Sequence, residues 1–199
     1  MTAPTSPQPH LNNSIQQVTT NTWLISHTHF LPHSSSPPPP PPPSPPPSKT
    51  PTDAAAHWSD SNGGHFTLTT APKPYPDSKP LTESSSPISR VHAVNNQSAV
   101  WRAGEAFIKA HHTDHPHTTR EHITLQFLQD QHVHGFVFPD VYAHFECDSR
   151  YFLIVSRVEG QLLEEAWPSM DETLRRYYIG KVADICHNLA VWKGDTSAA

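Results

Sequence analysis

Val100-Trp101-Arg102-Ala103-Gly104-Glu105-Ala106-Phe107-Ile108-Lys109, with Thr119-Arg120-Glu121 a short way on, is the stretch whose reading decides the fold. Ala103-Gly104-Glu105 is a turn signal between two runs that suit a half-buried sheet. The runs 99–102 and 106–110 are predicted as strands, with a Lys near the end of the second. Upstream, Ile88-Ser89-Arg90-Val91-His92-Ala93-Val94 alternates as a strand does. Asn95-Asn96-Gln97-Ser98 between them is rich in residues that tolerate left-handed backbone, so it is predicted as a turn. Together these segments predict a three-stranded meander.

Residues 111–117 are polar and predicted as a loop. Thr118-Thr119-Arg120-Glu121 fits a capping box, and Ile123, Phe127 and Leu128 give the helix behind it an apolar face. Phe136-Val137-Phe138-Pro139 and Val141-Tyr142-Ala143 are predicted as a strand bent at the Pro. Arg150-Tyr151-Phe152-Leu153-Ile154-Val155 is apolar enough for a central strand. Gly160 breaks the pattern, a short helix is predicted over 161–166, and Pro168 stops it. Ser169-Met170-Asp171-Glu172 reads as a second capping box. Behind it Leu174, Tyr178, Val182, Ile185, Leu189 and Trp192 form one stripe of a long helix, with Gly194 placed to cap it.

The chain has 199 residues, with 23 Pro against 7 Gly. Charged residues make up 16%, below the roughly 25% of ordinary soluble domains. A net charge of -5 argues against a nucleic-acid or anionic-membrane surface, which needs clustered Lys and Arg. No apolar run approaches the roughly 20 residues that span a bilayer, and the first residues lack the pattern of a signal peptide. The expected compartment is the cytoplasm, with no nucleic-acid and no membrane partner. Cys147 and Cys186 have no metal-ligand spacing and are expected to be reduced thiols. His111, His112, His115 and His117 are expected to lie in a solvated loop, loose Zn²⁺ or Ni²⁺ binding being the alternative.

Residues 1–86 are dominated by Ser, Thr, Pro, Asn and His. Large apolar side chains are sparse there, and the segment is expected to be disordered. Trp23-Leu24-Ile25 and Phe30-Leu31 then form a stray apolar patch, or a short docking motif. Residues 37–47 are Pro except for Ser44, and such a run adopts polyproline II. It is expected to act as a stiff spacer, or to bind an SH3, WW or profilin-type partner.

The order of elements, with the segments 100–109, 119–122, 138–141, 151–160 and 186–195, resembles the amino-terminal lobe and first large helix of the protein-kinase-like fold. More narrowly it resembles the fungal aminoglycoside phosphotransferase-like family, relatives of choline and aminoglycoside kinases. The resemblance implies an α+β chain in three parts: a disordered tail over 1–86, an ATP lobe of five antiparallel strands and one helix over 87–160, and a linker helix with the first helix of a second lobe over 161–199. It implies ATP, with Mg²⁺, as cofactor and phosphoryl transfer to a small-molecule hydroxyl as activity. Lys109 would neutralise nucleotide phosphates while Glu121 holds its ammonium. Glu121 also fits the third position of its capping box, and Lys109 an ordinary strand. Asn95, Asn96, Gln97 and Ser98 occupy the phosphate-covering position, although without the glycines of the protein-kinase loop, and fit a plain hairpin turn equally well. Ser156 and Val158 belong to the linker whose backbone would meet adenine.

The family also carries a His-x-Asp loop, an Asn five residues after that Asp, and a second Asp that holds the metal. His112-Thr113-Asp114 sits in the wrong loop, with Thr119 at the expected Asn position, and no such motif follows Lys193. No catalytic base and no metal ligand is therefore assigned. The chain is expected to be a truncated phosphotransferase-like protein, inactive alone; the alternative is a non-catalytic binding module, or pseudokinase remnant, with a proline-rich recruiting arm.

Overall fold

The computed structural model of the chain describes residues 10–35, 56–82, 86–113, 119–131 and 135–191. It is a mixed α and β protein with two antiparallel sheets and few helices among the described residues. The strands are β1 (Ile15–Thr19), β2 (Thr22–Ile25), β3 (His29–Ser34), β4 (Ala56–Ser59), β5 (His65–Thr70), β6 (Lys79–Pro80), β7 (Ile88–Val94), β8 (Ser98–Ala103), β9 (Ala106–His112), β10 (Val141–Cys147) and β11 (Arg150–Ser156). The helices are α1 (Glu121–Asp130), α2 (Leu163–Ala166) and α3 (Glu172–Val191). The chain divides into two compact units, Met1–Phe127 with Pro139–Arg157, and Leu128–Phe138 with Val158–Ala199.

In the first unit one sheet has the order β4-β5-β3-β2-β1-β6 and the other β10-β11-β9-β8-β7. β8 and β9 are joined by the Gly104-Glu105 turn, with Ala103 opposite Ala106. Gly104 has φ +59°, and a Cβ there would meet the Ser59 carbonyl oxygen at 2.6 Å, so glycine is required twice over. Along β9 the burial alternates. Ala106, Ile108 and Ala110 are buried, while Phe107, Lys109 and His111 are less so. β8 alternates in the same way through Ala99, Trp101 and Ala103. Period-two alternation puts each set on one face of the sheet.

The two sheets share a single core, in which Trp23, Phe66 and Ile15 from the first meet Trp101, Ile108 and Phe152 from the second. The Trp58 indole N–H donates to the Ala103 carbonyl at 2.7 Å, and its ring stacks on Phe66 and Tyr142. His29 stacks on Phe145 with 3.6 Å between ring centroids. The buried Arg150 donates to the Ser14 hydroxyl at 3.1 Å. Covering the Ala106-Ile108-Ala110 face of the second sheet in this way leaves Lys109 on the other face.

The disorder expected over 1–86 is therefore corrected for residues 10–35 and 56–82, which build six strands. Composition concealed them because β1 to β5 each bury only one to three large side chains and β6 buries none. In β5, His65-Phe66-Thr67-Leu68-Thr69-Thr70 buries Phe66 and Leu68 and nothing else. Thr supplies β propensity between them, and aromatic side chains bury large areas from few positions. Trp23-Leu24-Ile25, expected as a stray patch, is the buried centre of β2. The polyproline run 37–47 lies outside the described residues. Three smaller expectations also change. Ser98, His111 and His112 belong to strands, and the strand expected across 136–143 begins only at Val141.

In the second unit α2 is shorter than expected and runs into a 3-10 turn at Trp167–Ser169, where Pro168 sits at an early helical position. The Arg175 guanidinium donates to the Trp167 carbonyl and lies over its ring. The cap of α3 is Asp171 rather than Ser169: its Oδ1 accepts from the Leu174 N–H at 2.8 Å. Leu174, Tyr178, Val182 and Leu189 of the stripe are exposed. Ile185 is half-buried, and Trp192 and the expected cap Gly194 lie outside the described residues.

Two variants test these contacts by urea denaturation. Trp58→Phe removes one buried hydrogen bond and is expected to cost about 1 kcal/mol, while Trp58→Ala is expected to cost about 3–5 kcal/mol. If residues 56–59 were unstructured, both would be silent. Asp171→Ala is expected to destabilise α3 by about 1 kcal/mol, read as lost helical circular dichroism.

Candidate functional site

The strand period that buries Ile108 turns Lys109 to the opposite face, where it stands between Val100 of β8 and Leu153 of β11 in the pairing register. α1 begins at Glu121, and the Lys109 Nζ lies 2.5 Å from Glu121 Oε1. Both side chains are partly open to solvent, 25% and 36% exposed. The pair joins a strand to the first turn of a helix. A carboxylate at a helix amino terminus is favoured by the helix dipole, so Glu121 serves the helix and holds the ammonium at once. Thr118, its expected capping partner, lies outside the described residues.

Around this pair is a polar and aromatic group whose members the sequence did not bring together. The Tyr151 hydroxyl lies 2.8 Å from His122 Nδ1. His122 stacks on His144 with 3.6 Å between centroids, and His111 stacks on Tyr151. The Arg120 guanidinium lies over the Tyr151 ring and reaches Glu146 at 2.9 Å. Burial pushes the Tyr151 phenol up to about 12, so it stays protonated through the physiological range. Burial also depresses the imidazoles of His111, His122 and His144 below their ordinary value. The register pairs Tyr151 with His111, and the alternation of β11 is the signal that puts Tyr151 and Leu153 on the Lys109 face.

The other residues singled out from sequence fall elsewhere. Asn95 has φ +49°, and Asn95, Asn96 and Gln97 form the β7–β8 turn, closed by Gln97 N–H donating to the Val94 carbonyl at 3.0 Å. The Asn96 amide oxygen accepts from the Leu11 N–H at 2.5 Å. That contact ties the loop to the amino-terminal 3-10 turn at Leu11–Asn13. Ser98 opens β8 opposite His111. The Ser156 N–H donates to the Asp140 carbonyl, its hydroxyl accepts from the Asp140 N–H, and the Arg157 N–H donates to the Glu105 carbonyl. Val158 is exposed and falls in the second unit. Lys109 and Glu121 are thus in contact, Asn95, Asn96 and Gln97 share one turn, and the remaining residues are dispersed.

No protein-family profile matches the chain, and no curated protein does either. Among solved structures, two of WbdD are similar to it. One, a co-crystal structure with the kinase inhibitor LY294002, has 20% identity over 55% of this chain and 26% of that one, with a TM-score of 0.30. The other, a medium-resolution structure of this bifunctional kinase-methyltransferase, has 16% identity over 55% and 27%, with a TM-score of 0.29. This chain thus spans about a quarter of either protein, and at such TM-scores the likeness bears no weight for fold or function.

The imidazole shifts set a pH dependence. A His whose folded pKa is depressed binds its proton more readily in the unfolded chain, so stability is fully present above the ordinary value of 6.5 and falls as pH drops below it. The urea midpoint is expected to decline between about pH 7 and pH 5.5, and His122→Asn should flatten that decline. An unchanged slope in the variant would remove His122 as a source.

Proposed function

We propose that the Lys109 face of the second sheet grips the phosphates of a nucleotide, in the manner of the ATP lobe of protein-kinase-like phosphotransferases. The single observation that carries this reading is the Lys109–Glu121 contact at 2.5 Å. A lysine on a rigid strand, its ammonium held by a helix carboxylate, is a preorganised partner for an anionic oxygen. In the aminoglycoside phosphotransferase-like reading, ATP with Mg²⁺ is the cofactor and a small-molecule hydroxyl the acceptor. The metal supplies charge neutralisation along the phosphates when bound. No residue of this chain is assigned as its ligand or as the base. Lys109 binds and orients, Glu121 positions Lys109, and Tyr151 and His111 share the Lys109 face of the sheet.

One observation favours a second reading. Asn96, in the loop proposed to cover the phosphates, is held by the Leu11 backbone instead. A loop so anchored suits a non-catalytic binding module, or pseudokinase-like remnant, better than a phosphate-covering loop that must move over its ligand. The second reading keeps the sheet and gives up the nucleotide.

Binding of a fluorescent ATP analogue to the full chain, with and without Mg²⁺, separates the two. Lys109→Ala is expected to weaken binding by roughly tenfold to a hundredfold, which corresponds to about 1.5–3 kcal/mol for a charge-assisted contact. Glu121→Gln is expected to weaken it less, because the ammonium stays but loses its anchor. Absence of binding in the parent chain, or equal binding in Lys109→Ala, would leave the non-catalytic reading.

A further inference from the structure

Two hairpin turns of the first unit converge on a point unrelated to Lys109. The turn between β2 and β3 holds Ser26 and His27, both with φ +47°, and closes with the Thr28 N–H donating to the Ile25 carbonyl. The turn between β10 and β11 holds Asp148 and Ser149, with φ +51° and +57°, between the paired residues Cys147 and Arg150. Positive φ at both central residues matches the twist of the flanking strands, which makes each turn tight and its tip well fixed.

At the meeting point His27 Nε2, Cys147 Sγ and an Asp148 carboxylate oxygen all lie within 4.8 Å of one another. His27 Nε2 and Asp148 Oδ2 are 3.1 Å apart. The Cys147 thiol donates to the Ser26 carbonyl at 3.7 Å, and the Ser26 hydroxyl donates to Asp148 Oδ2 at 3.4 Å. The Ser26 hydroxyl therefore orients the Asp148 carboxylate, as outer partners of metal ligands do. In a tetrahedral zinc site, ligand atoms stand about 3.4 Å (N and O) to 3.6 Å (N and S) apart. The present spacings, 3.1 Å for His27 and Asp148 and none beyond 4.8 Å, lie close to those distances.

We propose that His27, Cys147 and Asp148 form a site for one divalent cation of the Zn²⁺ class. The donor set of one imidazole, one thiolate and one carboxylate suits a borderline-soft ion and not Mg²⁺ or Ca²⁺. With Cys147 deprotonated by the ion, the thiolate and the Asp148 carboxylate together neutralise its two charges. The side chains of His27 and Asp148 are 53% and 42% exposed, so the ion has a route in and a fourth position open to water. His27 comes from the first sheet and the other two ligands from the second. A bound ion therefore cross-links the sheets and stabilises the folded chain by mass action.

Cobalt titration of the full chain tests this without confusion from the many other histidines. Cobalt bound by a thiolate gives a sulfur-to-metal charge-transfer band that imidazoles do not. One cobalt per chain with that band, displaced by Zn²⁺, is expected. Cys147→Ser should abolish the band and Cys186→Ser should keep it. His27→Ala should weaken cobalt binding roughly tenfold or more. No band in the parent chain overturns the proposal. So does a band that survives Cys147→Ser, or a cobalt affinity unchanged in His27→Ala.

Discussion

β9 buries every second side chain, and that period fixes where Lys109 goes. Ala106, Ile108 and Ala110 are committed to the core shared by the two sheets, so Phe107, Lys109 and His111 must face the other way. A slip of one residue in the β8–β9 or β9–β11 register would bury the ammonium and expose Ile108. Gly104 guards against that slip, since its tight turn against the Ser59 carbonyl sets the register of β8 against β9. The ion pair with Glu121 is thus a product of strand geometry, helix start and turn chemistry acting together.

The same constraint gives the amino-terminal sheet its role. One face of β8 and β9 carries alanines at 99, 103, 106 and 110, and small residues there leave space for the large rings of the partner sheet. Trp58 uses that space and hydrogen-bonds the Ala103 carbonyl, so the two sheets are held by a directional contact as well as by apolar burial. His29 on Phe145 and Arg150 on Ser14 repeat the pattern at other points of the interface.

Legibility in the sequence divides along these lines. β7, β8, β9 and β11 were readable because alternation or a sustained apolar run is a local signal. β1 to β5 were not, because one to three large apolar side chains per strand among Ser, Thr, Gln and His read as polar composition, and only partner strands far along the chain make those positions buried. The site divides likewise. Lys109 and Glu121 could be named from order alone, whereas Tyr151, His144 and Glu146 join them only through the β9–β11–β10 register. The grouping of His27 with Cys147 and Asp148 has no sequence spacing at all, since more than a hundred residues separate the two turns. The role of Asn96 as a tether for Leu11 was hidden for the same reason.

The central claim is that Lys109 meets nucleotide phosphate. Lysine-selective NMR of the full chain, with Mg²⁺ and ATP added, reads this at the ammonium itself. The account predicts that the Lys109 side-chain resonance moves and saturates with nucleotide while those of Lys73 and Lys79 stay in place. A Lys109 resonance that does not move at concentrations where any other lysine does, or where none does, contradicts it.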